Sequence, residues 1–292
     1  MPGTGFALKV SAVTYSIAAR DAATGELGVA VQSQAFNAGA AVPWVRPGVG
    51  AIATQSYTDR RYGWRGLELL AAGVPPADAL GELRADDRLA ELRQVGMLRA
   101  DGDAAQWTGV SCVPAAGSAR GEHWISQANM VASPRVWEAM GEAFESTGGP
   151  LALRLMAALD AAEAAGGDWR GRGGAGIVVA PPTGEPWERV VDLRVEEGDG
   201  SLVELRRLVE RALAYRDSGR AASDRAGFAR SRGLPDVQVQ LLAIVDAVEA
   251  GRTTEARRLL MRLEEREPRW RDAVRSLALL PEYAALRVLF EQ

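Results

Sequence analysis

The chain has 292 residues, of which 47% are apolar and 25% charged, with a net charge of −4. That length allows two domains or one large one, and that charge gives no electrostatic case for nucleic acid or an acidic membrane surface. One cysteine, Cys112, and one histidine, His123, exclude an intrachain disulfide and a thiolate or multi-histidine metal centre, and leave little room for a Ser-His-Asp triad.

No apolar run reaches the ~20 residues of a membrane span. Residues 1–12 lack the apolar core of a signal peptide, so an N-terminal extension and a cytoplasmic protein are expected. Lys9 is the only lysine among the basic residues, so no lysine further along the chain can act as a base or a Schiff-base former.

In chain order, residues 13–58 read as β. Val13 to Arg20 and Leu27 to Gln34 flank Asp21-Ala22-Ala23-Thr24-Gly25-Glu26, which has the chemistry of a hairpin turn. Thr14 and Ser16 fall on one face of the first strand. Residues 40–48 read as a loop carrying a buried Trp44. Gly50 to Ser56 reads as a strand whose small, mostly apolar residues suit cover on both faces.

Gly66 to Ala72 predicts a helix closed by Gly73, and a second helix starts at Pro75-Pro76. Residues 94–98 and 104–108 form a strand pair about Asp101-Gly102-Asp103, and 122–130 a further strand. Residues 134–165 are helical, broken at Gly148-Gly149-Pro150. A Gly- and Arg-rich loop at 166–174 precedes a last strand pair, 175–180 and 190–195. The order strands, helices, strands, helices, strands predicts two antiparallel sheets between helical layers. After a linker at 196–200, residues 201–292 read as a helical module with tetratricopeptide-like punctuation, too short for an array.

Several motifs fall in one order. They are Thr14-Tyr15-Ser16-Ile17-Ala18-Ala19-Arg20-Asp21, Gly28-Val29-Ala30-Val31-Gln32-Ser33, Val42-Pro43-Trp44, and Gly48 to Gln55. Tyr62-Gly63 with Gly66, Arg93-Gln94-Val95-Gly96, Gln127 with Asn129-Met130, and Gly166 to Gly171 follow. Over residues 13–196 the chain resembles the DUF1028 family, whose members resemble N-terminal-nucleophile (Ntn) hydrolases in fold. The resemblance implies an α+β protein with a four-layer αββα sandwich. It also implies that Thr14 stands where such enzymes keep their nucleophile. Family members that begin Met-Thr can expose that threonine by losing the methionine, whereas here thirteen residues precede Thr14. Either the start lies elsewhere, or the Val13–Thr14 bond is cut, or Thr14 has no free amine. The family often has Lys or His after the serine of the second strand, and here that position is Gln34.

A threonine whose own α-amine, with a pKa near ~8, takes the hydroxyl proton needs no histidine. Ser16 and Ser33 are rival or supporting hydroxyls. Asp21 and Asp168 are candidates to hold the amine or an arginine. Gln34, Gln55, Gln127 and Asn129 are candidate substrate contacts, the last three as oxyanion donors. Arg170 and Arg172 are candidate carboxylate clamps. Each has a plainer reading: Thr14 as a structural strand threonine, Asp168 as a loop stabiliser, the arginines as solvated charges. Cys112 and His123 read as packing residues.

The expectation is an Ntn-type amidohydrolase acting on a small amide or peptide-like ligand. The alternative is a non-catalytic protein that binds a small ligand or a partner on the same scaffold. A homo-oligomer is expected, with a possible protein partner on the helical tail. No metal or organic cofactor, nucleic acid or membrane is called for.

Overall fold

The computed structural model describes residues 14–220 and 224–291. The expected N-terminal extension, residues 1–12, lies outside them. The chain divides into two units, Met1–Val209 and Glu210–Gln292.

In the first unit, β1 (Thr14–Arg20) turns through the Asp21 hairpin into β2 (Leu27–Ser33). β3 (Pro43–Arg46) and β4 (Gly50–Ser56) lead to helices α1 (Arg61–Ala71) and α2 (Pro76–Ala85). Four strands follow: β5 (Arg93–Arg99), β6 (Ala104–Thr108), β7 (Gly117–Arg120) and β8 (Trp124–Asn129). Then come α3 (Arg135–Ser146), α4 (Leu151–Ala164), β9 (Gly174–Ala180) and β10 (Val191–Val195). These form two antiparallel sheets, one of order β10-β9-β2-β1-β8-β7 and one of order β3-β4-β5-β6.

The period-2 alternation of β1 sorts its side chains between two neighbours. Thr14, Ser16 and Ala18 face the four-stranded sheet. Ser16 bonds Gln55 of β4, and Ala18 joins Leu27, Val29 and Val31 of β2 against Val45, Ala51 and Ala53. Tyr15 faces α4, where its hydroxyl donates to Glu163 Oε2 at 2.8 Å. α1 and α2 cover the far face of the four-stranded sheet, packing Tyr62, Leu70, Leu80 and Leu83 on Ile52, Val95 and Met97. β1, β2, β4 and β9 are therefore covered on both faces, which explains their nearly unbroken apolar and small-residue runs.

The expected antiparallel sheets and C-terminal helices are present. Three local differences have physical causes. Residues 43–46, expected as loop, pair with β4 from Pro43↔Ala53 to Arg46↔Gly50, and β3 is an edge strand that tolerates the proline. β7 has no β-branched or aromatic residue to mark it. α1 begins at Arg61, and the glycines inside it are contact points: a Cβ on Gly63 would lie 2.3 Å from the Trp44 ring, and one on Gly66 2.7 Å from Ile52.

The predicted linker 196–200 precedes α5 (Ser201–Arg220), and the division between the units falls inside this helix. In the second unit, α6 (Arg225–Ser231) is capped by Asp224 accepting from Gly227 N–H at 2.8 Å. α7 (Asp236–Glu249), α8 (Thr253–Arg266) and α9 (Trp270–Leu277) follow, with a 3₁₀ segment at Pro281–Leu289. Ile244, Ala256, Leu260, Leu263, Val274 and Leu286 form much of this unit's core. No helix among the described residues is long and apolar enough to cross a membrane.

Candidate functional site

β1 lies inside the six-stranded sheet, and its first residue, Thr14, is in register with Ser33 of β2 on one side and Asn129 of β8 on the other. The next inward position, Ser16, is in register with Gln127. Opposite them, β4 and β5 bring Gln55 and Gln94 into register with each other. Three strand ends of the six-stranded sheet and two of the four-stranded sheet thus meet as a buried polar layer, and Thr14, Ser16, Ser33, Gln55, Gln94 and Asn129 are all fully buried.

Burial of this many polar groups is tolerated because they bond one another. Ser16 donates to Gln55 Oε1 at 2.6 Å. Gln55 Nε2 donates to the Thr14 carbonyl at 3.1 Å and to Gln94 Oε1 at 2.7 Å. Gln94 Nε2 in turn reaches Thr108 Oγ1 and the Ala128 carbonyl, both at 3.0 Å. Gln127 Nε2 donates to the Ala53 carbonyl at 3.1 Å. Among the described residues Asn129 Nδ2 makes one bond, to Gln94 Oε1 at 3.0 Å, and its Oδ1 has no partner. Gln94, at the centre of the layer, was not singled out from the sequence. Its signal was the alternation Gln94, Gly96, Leu98, which puts a polar residue at an inward position.

The Thr14 hydroxyl donates to Ser33 Oγ at 3.3 Å, and Ser33 Oγ accepts from Ala35 N–H at 3.0 Å. Beyond them lies Asp168. Its Oδ2 accepts from Gln34 N–H and its Oδ1 from Arg170 N–H, both at 2.9 Å. The Arg170 guanidinium lies 3.3 Å from Oδ2, and Asp168 bridges to Val131. The carboxylate therefore ties the loop after β2 to the Gly-rich loop, and the Asp168 backbone ties in the segment after β8, holding the chain around Thr14. The Gln34 side chain is exposed, and Arg172 is spent on Glu163 at 2.6 Å.

Two backbone features sharpen the picture. Ser56, directly after Gln55, has φ 67, and Met130, directly after Asn129, has φ 53. Non-glycine residues rarely adopt this left-handed conformation, which concentrates at functional sites. The ends of β4 and β8 that carry the amides are thus also where the backbone is held in a costly form. No sequence pattern marks either residue.

Asp21 is not part of this group. It stands at the other end of β1, roughly 20 Å away at ~3.3 Å per residue. There its Oδ1 accepts from Ala23 and Thr24 N–H and its Oδ2 pairs with Arg154 at 3.2 Å. Burial alone would raise its pKa, but the turn N–H groups and Arg154 outweigh it and hold the carboxyl below its ordinary range. His123 is at that end too, its carbonyl accepting from Arg20 N–H. Cys112 donates to the Arg93 carbonyl, and burial pushes its thiol pKa up. Behind the site, burial and then Glu163 hold the Tyr15 hydroxyl well above its ordinary pKa, so it stays protonated. Among the described residues no group of three or more His, Cys, Asp or Glu side chains is placed to hold a metal.

Residues 14–205 match the model of a family described as a family of unknown function, DUF1028. A crystal structure of protein SPO2555 from Silicibacter pomeroyi, carrying the same family model, is similar. It has 30% sequence identity, a TM-score of 0.64, and coverage of 75% of this chain and 90% of that one. No curated protein matches.

Proposed function

The chain belongs to the DUF1028 family, and from that premise we propose that it is an Ntn-type hydrolase that cleaves a small amide or peptide-like bond, with Thr14 as nucleophile. The observation that carries this reading is the placement of Thr14. It is the first residue of an interior strand, its hydroxyl is aimed at Ser33, and Asn129 stands beside it. The order helix pair, four-stranded sheet, six-stranded sheet, helix pair supports the finer assignment of an Ntn-type αββα sandwich.

The base follows by elimination. His123 lies at the far end of β1. Both oxygens of Asp168 are held by backbone N–H groups and Arg170. The only lysine, Lys9, precedes Thr14. The Thr14 α-amine, freed by cutting the Val13–Thr14 bond, is then the base. It takes the hydroxyl proton as Oγ1 attacks the amide carbonyl, and passes it to the leaving amine. Water then hydrolyses the resulting ester. Gln55 and Gln127 spend their amide N–H groups inside the inter-sheet layer, so the oxyanion falls to Asn129, whose Nδ2 makes a single bond among the described residues.

The test is the mass of the mature N-terminus, followed by hydrolysis of a panel of amino-acid p-nitroanilides. A chain beginning at Thr14, with kcat/KM falling about 10³-fold or more in Thr14→Ala, supports the reading. Retention of residues 1–13, or unchanged turnover in the variant, overturns it.

The second reading is a non-catalytic binding protein on the same scaffold. The closed network among Ser16, Gln55, Gln94 and Gln127 and the uncharged, exposed Gln34 favour it. A retained leader together with ligand binding lost in Asn129→Ala would select it. On either reading we take the protein to be cytoplasmic and self-associating, with the tetratricopeptide-like tail as a protein-binding module. Solution size and capture of partners by the full chain test those proposals.

A further inference from the structure

Two strands away from β1, the first unit carries a second concavity. It is a groove of about 370 Å³ between β3 and α1 on one side and β9, β10 and the segment before β10 on the other. Trp44, Trp64, Arg46, Arg189, Asp192 and Arg194 line it. Its volume is within the range of small-ligand sites.

The groove is built around flat rings. Trp44 is anchored by its Nε1–H donating to the Ala41 carbonyl at 3.1 Å. It presses on Gly63 so closely that a Cβ there would lie 2.3 Å from the ring. Trp64 stands one residue on in α1 and is 46% exposed. A large aromatic side chain left this open beside a second one offers a stacking surface.

The groove is also net cationic, with Arg46, Arg189 and Arg194 lining it against Glu68 and Asp192. The Arg46 guanidinium makes no hydrogen bond or ion pair among the described residues. Arg189 donates to the carbonyls of Pro186 at 2.9 Å and Glu188 at 2.7 Å and pairs with no carboxylate. Arg194 pairs with Asp192 at 3.0 Å, and Asp192 also acts on the Arg189 charge. Two guanidiniums without an ion pair therefore face a groove with an excess of positive charge, which suits an anion. Guanidinium forks suit carboxylate and phosphate.

We propose that this groove is a binding site, separate from the Thr14 site, for a planar aromatic ring that carries a carboxylate or phosphate group. The ring stacks against Trp44 and Trp64, and the anion is held between Arg46 and Arg189. The inference does not rest on the hydrolase reading.

Calorimetry of the full-length protein tests it with four probes: 2-naphthoate, adenosine 5′-monophosphate, adenosine and inorganic phosphate. The two ring-bearing anions distinguish an aromatic acid from a nucleotide as the source of the chemistry. At least one of them is expected to bind about tenfold or more tighter than both adenosine and phosphate. Arg46→Ala with Arg189→Ala should weaken that probe about tenfold or more, Trp64→Ala about threefold or more, and Thr14→Ala not at all. Thermal melts of each variant check that it is folded. Binding of neither ring-bearing anion overturns the proposal. So does phosphate binding as tightly as the nucleotide, or a folded double-arginine variant with unchanged affinity.

Discussion

The space between the two sheets is filled in two different ways along the same strands. Toward the hairpin end of β1, Ala18, Leu27, Val29, Val31, Val45, Ala51 and Ala53 pack as an apolar core. Toward its start, Thr14, Ser16, Gln55, Gln94, Gln127 and Asn129 fill it with hydroxyls and amides. Backbone pairing is continuous through both halves, so the sheets themselves do not demand the change. The apolar half stabilises by removing area from water, ~25 cal/mol per Å². The polar half must first offset the desolvation of its amides and recovers this only through mutual bonding. A fold under pressure for stability alone has no use for it. It is the half beside Thr14, and it also carries the left-handed Ser56 and Met130; the proposed site lies there.

The largest effect that separates the halves is expected from Leu27→Ala. Leu27 is fully buried, and the deletion leaves a cavity that costs roughly 2–5 kcal/mol. Urea unfolding should show a lower midpoint with an unchanged slope. Next comes Gln94→Leu. It strands Asn129 Nδ2, bonded to Gln94 Oε1, and takes one partner from Gln55 Nε2 and Thr108 Oγ1, at about 1–3 kcal/mol for these groups together after relaxation. The decisive comparison is the double variant Gln55→Leu/Gln94→Leu. Each single variant loses the 2.7 Å bond between Gln55 and Gln94, and the double loses it only once, so the double should cost less than the sum of the singles, with a coupling of about 1 kcal/mol. Strict additivity would mean that the amides are not one network.

Most of the apolar half was legible in the sequence and much of the polar half was not. Strands such as Leu27–Ser33 and Gly174–Ala180 announce themselves by composition, and the hairpins at Gly25 and Gly102 by turn chemistry. Gln55, Gln127 and Asn129 were visible as polar residues at strand ends. That their bonds run mostly to one another, through Gln94, depends on the register between β4 and β5 and on how the sheets stack, neither of which any local pattern encodes. Asp21 and Asp168 looked alike as acidic residues next to glycines. One caps a hairpin with Arg154, and the other ties three loops together near Thr14. Telling them apart requires knowing which end of β1 each one reaches. Trp44 and Gly63 are a further case, since a glycine inside a helix reads as a weakness until the ring lying on it is seen.

Smaller effects sharpen the same contrast. Ser16→Ala removes the 2.6 Å bond to Gln55 Oε1 and leaves that oxygen buried, a loss of about 1–2 kcal/mol. It should be read by the same unfolding assay and leave the fold intact.

The last test uses pH, because the named residues of the polar half do not titrate in the ordinary range. The penalty of Gln94→Leu should therefore be the same at pH 3 and pH 7. Asp21, at the opposite end of β1, behaves differently. Its folded-state pKa is depressed by the turn N–H groups and Arg154, which outweigh its burial. The stability it contributes is therefore complete above the unfolded carboxyl value of ~3.9 and is lost as pH falls through the lower folded value. Asp21→Asn should cost about 1 kcal/mol at pH 7, through the lost pairing with Arg154 at 3.2 Å. The gap to wild type should narrow as pH falls below ~3.9 and close once pH passes the lower folded value, where the folded wild-type carboxyl is itself neutral. Denaturant titrations across that range check both slopes. A Gln94→Leu penalty that changes with pH would show that a charged group reaches into the polar layer after all. A pH-independent Asp21→Asn penalty would show that the turn, and not the ion pair, is what the carboxylate supports.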